Sequence, residues 1–188
     1  MIRSVLSNRP DTRYSVSCTT RQARAGEIPG RDYHFIAKEE FVAGIRAGRF
    51  LEWAEVHGEF YGTDRKPIEE WLKGGSDVLV DIDVQGARQV RCSYPSVRTI
   101  FILPPSLAVL EVRLKGRGTE TPEQLAIRVA AARRELLESP WYDFVIVNAV
   151  LEEAVADLDA ILRAGRCRLE SQAPTLRALL ESFFPIPR

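Results

Sequence analysis

The sequence predicts an α/β fold, a parallel sheet flanked by helices with a small antiparallel insertion. Three observations carry that reading. Residues 77–83, 97–103 and 144–148 are short β-branched or aromatic runs, apolar on both faces, as strands covered by helices should be. The segments between them carry helical patterns, and strands that alternate with helices imply crossover units. Residues 21–75 read differently, with closely spaced extended runs and few long helical stretches. At 188 residues, the chain is long enough for one such domain around a sizeable core.

The elements follow in order. Residues 12–20 lead into a hydroxyl-rich strand end. Gly26 and the pair Pro29-Gly30 then turn the chain. Extended runs at 33–36, 50–53 and 59–62 surround a short helix near residues 38–47, giving the insertion. Asp81 and Asp83 end the 77–83 strand, and Asp83 is placed to cap a helix opening at Gly86-Ala87-Arg88. Ser106 caps a helix through Leu107, Leu110 and Leu114. Thr121-Pro122-Glu123 caps another that runs through Leu125, Val129 and Leu136, and a third spans about 151–168. Residues 175–184 form an amphipathic helix stopped by Pro185, read as a packing helix.

Composition narrows the function. Lys plus Arg and Asp plus Glu are 26 each, so the net charge is zero, which speaks against a broad footprint for nucleic acid or an anionic membrane. No run of 18 apolar residues and no signal-peptide pattern occurs, and three widely spaced cysteines suit a reducing compartment, so a cytoplasmic location is expected. Cys18, Cys92 and Cys167 read as small apolar residues, His34 and His57 as packing or surface groups, and Trp53, Trp71 and Trp141 as packing residues. Only four cations are lysines, leaving 22 arginines, the residue type for bidentate grips on phosphate.

Three segments carry chemistry. Arg21 and Arg24, three apart after a run of hydroxyls, suit a small anion, though hydroxyls of a solvated turn can also simply cap backbone groups. Asp81 and Asp83 lie at the carboxyl end of an apolar strand, where open α/β sheets bind ligands, and alternation sends both to one side. Two carboxylates there can orient a magnesium ion through its waters, whereas a helix cap accounts for one of them. Arg117 sits between glycines, with Arg128, Arg133 and Arg134 on the next helix. Such a segment can close over a transferring phosphoryl group, or the arginines can cover a solvated helix face.

In order, SVSCTTRQARAGEIPGRDYHF, FLEWAEVHGEFYGT, VLVDIDVQGARQV, FILPPS, RLKGRGTET and VIVN resemble guanylate kinase, from about Tyr14 to Arg168. The resemblance implies a P-loop nucleotide-kinase-like core (1–20, 76–115 and 139–188), a GMP-binding insertion (21–75) and a helical lid (116–138). It implies phosphoryl transfer from ATP to GMP, with magnesium accompanying ATP and with GMP and ATP as partners. Arg21, Arg24, Tyr33 and Tyr61 would hold the GMP phosphate, and Ser17, Glu52 and Thr63 would read guanine. Asp83 would anchor the nucleotide, and Asp81 would lie near magnesium through water. Arg117 and Arg128 would meet developing charge, with Arg117 also near ATP, and Asn148 would lie by adenine. A carboxylate at Glu52 accepts from guanine's ring N–H and exocyclic amine together, a donor pair adenine lacks.

Two departures stand beside this. The family's glycine-rich GxxxxGK loop is absent, since none of Lys38, Lys66, Lys73 and Lys115 follows a glycine, and the opening Ile2-Arg3-Ser4-Val5-Leu6 resembles the helix after that loop. The expectation is therefore a start inside a longer reading frame, with a mid-sheet strand missing, an apolar gap between two strand edges, and poor stability and activity. Ala149 stands where the family often has aspartate, which bears on the adenine site. A non-catalytic guanylate-kinase-like module binding GMP or phosphopeptides is the alternative. A ribose-phosphate kinase on the same scaffold has no use for Glu52, Ser17 and Thr63 as a base reader. Oligomeric state leaves no mark in the sequence.

Overall fold

The computed structural model describes residues 1–56, 58–116 and 122–184. In chain order the elements are α1 (Ile2–Ser7), β1 (Thr12–Tyr14), β2 (Cys18–Thr19), β3 (His34–Phe35), α2 (Lys38–Arg46), β4 (Phe50–Val56), β5 (Glu59–Asp64) and α3 (Arg65–Lys73). There follow β6 (Asp77–Leu79), α4 (Val84–Ser93), β7 (Ile100–Leu103), α5 (Leu107–Lys115), α6 (Pro122–Leu136), β8 (Phe144–Val147), α7 (Leu151–Arg166) and α8 (Leu169–Phe183).

The strands form three groups. β1 pairs with β6 in parallel, and β7 pairs with β8 in parallel. Between those pairs lies a cavity of about 330 Å³, walled by Val78, Val80 and Ile82 on one side and Ile100 and Ile102 on the other. The third group is a four-stranded mixed sheet in the order β3-β2-β5-β4, antiparallel at β2–β5 and β5–β4. Gly26 and Gly30 turn the chain before β3 with φ of 85° and 77°, a conformation that costs glycine little.

Each group has its own apolar cluster. In the mixed sheet, Phe41 of α2 stacks on Phe50 at 4.3 Å between ring centroids and on Phe60 at 5.3 Å, with Cys18 beneath. Leu51, Ile68 and Val90 bring β4, α3 and α4 together. Val5 of α1 packs with Ile146, Ala154 and Leu158, fixing α1 against β8 and α7. Local signals end the helices where capping chemistry places them. Ser106 Oγ accepts from the Val109 N–H at 3.2 Å, and Asp83 Oδ1 accepts from the Gly86 N–H at 2.8 Å.

Four expectations are corrected. The parallel strands are shorter than their apolar runs: 80–83 and 97–99 lie outside ladders, and burial on both faces is not met. In β8, Ile146 is buried against α1 and α7 while Val145 and Val147 stay half exposed on the other face, because alternation sends them away from those helices. The C-terminal helix begins six residues earlier than expected, contains Pro174, and is exposed along its length, so it does not serve as a packing helix. Finally, Cys92 and Cys167 are exposed and only Cys18 is buried, where its thiol is pushed up to about 12 by burial and by Asp64. Trp53, by contrast, packs as expected, its ring 6.1 Å from that of Phe60 at the border of the Phe41 cluster.

Candidate active site

A second cavity, of about 290 Å³, opens between the mixed sheet and the segment after β6. Its walls include Ser17, Tyr33, Glu52, Tyr61, Asp81 and Asp83. Residues that are up to 66 apart in sequence thus meet because β2, β4 and β5 form one sheet and the 81–83 segment crosses its face. The volume is at the lower end for small-ligand sites.

One end of the cavity is a buried polar cluster. Glu52 on β4 lies beside Thr63 on β5, its cross-strand partner. Thr63 Oγ1 donates to Glu52 Oε1 at 2.5 Å, and Ser17 Oγ stands 3.5 Å from Thr63 Oγ1. All three are buried. Removal from water pushes the Glu52 carboxyl up to about 7, with the Asp83 charge adding to the rise and the Thr63 hydroxyl opposing it. A buried carboxylate with unused lone pairs facing a cavity is a strong acceptor for paired N–H donors.

The other end is lined by Tyr33 and Tyr61, with a cation against them. Tyr33 and Tyr61 meet edge to face at 6.0 Å, and the Arg21 guanidinium lies 4.9 Å from the Tyr33 ring centre. Its fork is held by Glu27 through two bonds of 2.7 Å, Nη1 to Oε2 and Nη2 to Oε1, and the Arg24 backbone N–H donates to Glu27 as well. Arg21 holds the Glu27 carboxyl down to about 2. Burial and the nearby Asp81 charge push the Tyr33 hydroxyl up. Glu27 was not anticipated from sequence; the only available signal was a carboxylate six residues after an arginine in a glycine-turned loop.

Asp81 and Asp83 differ. Asp83 caps α4, which uses one carboxylate oxygen structurally. Asp81 lines both cavities on a wall open to water, yet the protein around it strips enough hydration to push its carboxyl up. Among the described residues no three His, Cys, Asp or Glu side chains converge to hold a metal. A hydrated magnesium ion needs few protein ligands, and a single carboxylate such as that of Asp81, which caps no helix, is enough to hold one beside substrate oxygens.

The remaining expected site residues stand elsewhere. Arg24 is exposed, and only its backbone joins the Glu27 network. Asn148 follows β8, where its N–H donates to Leu103 O at 2.7 Å and its carbonyl accepts from Arg113 at 2.9 Å; it does not line the 290 Å³ cavity. Arg128 is half-buried on α6, where it has interactions of its own. Arg117, His57 and Thr121 lie outside the described residues.

Helix-flanked parallel strands with a polar-ended cavity at the close of one of them define an α/β protein with a small-ligand site at its strand ends. The family model described as "Guanylate kinase" matches residues 1–165. The chain is 49% identical over 180 residues to the guanylate kinase of Symbiobacterium thermophilum, covering 95% of this chain and 85% of that one. It is 50% identical over 167 residues to that of Shewanella violacea, covering 88% and 81%. Among solved structures, the guanylate kinase from Anaplasma phagocytophilum matches with a TM-score of 0.83 at 37% identity, covering 100% of this chain and 90% of that one. The chain belongs to the guanylate kinase family. Among the described residues, no helix is long and apolar enough to cross a membrane.

Proposed function

We propose that the cavity between the mixed sheet and residues 81–83 binds GMP, and that the reaction is phosphoryl transfer from ATP to that GMP. The observation that carries this reading is the division of one cavity into two chemistries. A buried carboxylate–hydroxyl cluster, Glu52 and Ser17 backed by Thr63, ends one side, and Tyr33 and Tyr61, with Arg21 against the Tyr33 ring, end the other. Glu52 accepts from the guanine ring N–H and exocyclic amine. Adenine has no such donor pair, and leaving a buried carboxylate without donors is what rejects it.

Arg21 turns to the phosphate the guanidinium N–H groups that Glu27 leaves unused, and Tyr33 and Tyr61 add hydroxyl donors. Glu27 holds the guanidinium in place before the nucleotide arrives, so little side-chain freedom is lost on binding. Arg24 swings in from the surface to share the phosphate. Asp83 anchors the nucleotide while keeping the α4 cap, and Asp81 would hold a magnesium ion through water. When bound, that ion neutralises charge on the ATP phosphates. Arg128, with Arg117, brings positive charge to the transferring group, and Asn148 lies by the adenine of ATP. The insertion (21–75) and the lid (116–138) close over the two nucleotides and exclude water. The sequence holds no GxxxxGK motif, so transfer by this chain alone is expected to be slow.

Titration calorimetry with GMP, AMP and a phosphoserine peptide tests the reading. GMP is expected to bind at least tenfold more tightly than either of the others, and Glu52→Gln is expected to erase the preference over AMP. Equal binding of the phosphopeptide would instead favour a non-catalytic binding module.

A further inference from the structure

We infer that Gly86 is a specificity-positioning residue, whose bare Cα sets where the Glu52 carboxylate stands. The inference rests on the reading of Glu52 as the base acceptor. Gly86 lies in the first turn of α4, buried, and its N–H donates to the capping Asp83. A Cβ built on it would stand 2.3 Å from Glu52 Oε2 and 3.0 Å from Glu52 Cδ, with Ile82 Cβ next at 3.3 Å. The first distance is about 1 Å short of ordinary contact.

Backbone conformation gives no other reason for glycine here. Its φ is not among the positive values, and alanine is the better helix former. The crowding is therefore between this position and one carboxylate. On its far side that carboxylate is held by Thr63 Oγ1 at 2.5 Å. Nor can α4 easily retreat. Gln89 Nε2 donates to Trp53 O at 2.7 Å, the Trp53 N–H donates to Gln89 Oε1 at 3.2 Å, and Ala87 and Val90 are buried beneath the same helix. Glu52 is thus clamped between a hydroxyl and a Cα, with its helix tied to its own strand one residue along. A methyl group at residue 86 must move the carboxylate, and both guanine donors lose their acceptor together.

Gly86→Ala tests this through nucleotide binding and thermal melting. IMP shares the ring N–H and phosphate of GMP but lacks the exocyclic amine, so the GMP-to-IMP affinity ratio reports carboxylate placement. The variant is expected to keep or raise the melting temperature, to bind GMP at least tenfold more weakly, and to bring the GMP-to-IMP ratio towards one. Adding Glu52→Asp to Gly86→Ala shortens the acid by one methylene, and partial recovery of the ratio is expected. Unchanged GMP affinity and ratio in Gly86→Ala overturns the inference. So does a melting temperature lowered by more than a few degrees, which puts the strain in α4 rather than in Glu52. Glu52→Gln separates the two levels. If it leaves GMP affinity and ratio intact, the base-reader reading fails. If it collapses them while Gly86→Ala does not, only the role of Gly86 fails.

Discussion

The mixed sheet and the two parallel strand pairs solve the same problem differently. In the mixed sheet, four strands share one ladder network, and Phe41, Phe50 and Phe60 close one side while Glu52, Thr63 and Ser17 stay buried on the other. The polar cluster is tolerable there because its members satisfy one another. The parallel pairs are separated by an apolar-walled cavity of about 330 Å³, and Val145 and Val147 stay half exposed. A finished ladder can hold a carboxyl out of water at an unusual proton affinity. Two strand pairs with a cavity between them offer their apolar edges no such closure.

The largest expected effect tests the cavity between the parallel pairs. Joining an extended apolar strand and a GxxxxGKS loop ahead of Met1 should fill the cavity and supply the backbone cradle for ATP phosphates. Transfer to GMP in a coupled ADP assay should rise by about 10³-fold, the scale of preorganised electrostatic stabilisation. The melting temperature should rise in parallel. Equal rates from the two chains would break the comparison.

Next comes the proton on Glu52. Its folded-state affinity is raised from the ordinary value to about 7 by burial. An acid whose pKa is raised on folding stabilises the protein fully below its unfolded pKa, and that contribution is lost as pH rises through the folded value. Between pH 4.5 and 7.5 the ligand-free protein should therefore lose about 2–3 kcal/mol from this group. Asp81, pushed the same way by desolvation, adds to the slope. Urea unfolding of the unaltered chain and of Glu52→Gln should give a stability difference that shrinks as pH rises. A difference flat with pH would remove Glu52 as its source.

Arg21→Ala should weaken GMP by about 10–100-fold, the worth of one or two charge-assisted bonds, while leaving the preference for guanine over adenine in place. Loss of base preference instead would show that the two ends of the cavity are not separable. The smallest effect belongs to Glu27→Gln. The Arg21–Glu27 pair is mostly screened from solvent, and its loss should cost about 1 kcal/mol at pH 7. The Glu27 carboxyl is held down to about 2, so the stability it adds is present at neutral pH and lost as pH falls from the ordinary carboxylate range towards that value. Parallel acid titrations of the two proteins, followed by circular dichroism, check it.

Much of the architecture was legible as local chemistry. Ser106 and Asp83 both cap the helices their positions implied, and Gly26 and Gly30 take the turn conformations expected of them. The apolar runs marked the sites of β6, β7 and β8, although not their ends. Capping, turns and alternation act over a few residues, so the sequence exposes them directly. Exposure of Val145 and Val147 was not legible, because an apolar run states what a strand can bury and not what packs against it. The same is true of α8, whose amphipathic pattern suits packing that the exposed helix does not have.

By itself, the sequence determined which chemistries were available: a carboxylate with hydroxyls, an arginine pair with tyrosines, and a family resemblance carried by ordered motifs. Tertiary structure alone decided that Glu27 grips Arg21, that Asp83 is used as a cap while Asp81 faces the cavities, and that Glu52 lies against Gly86, 34 positions away. The physical reason is range. Residue type and short spacing fix a side chain's repertoire, whereas desolvation and steric contact depend on every atom brought near it by the fold.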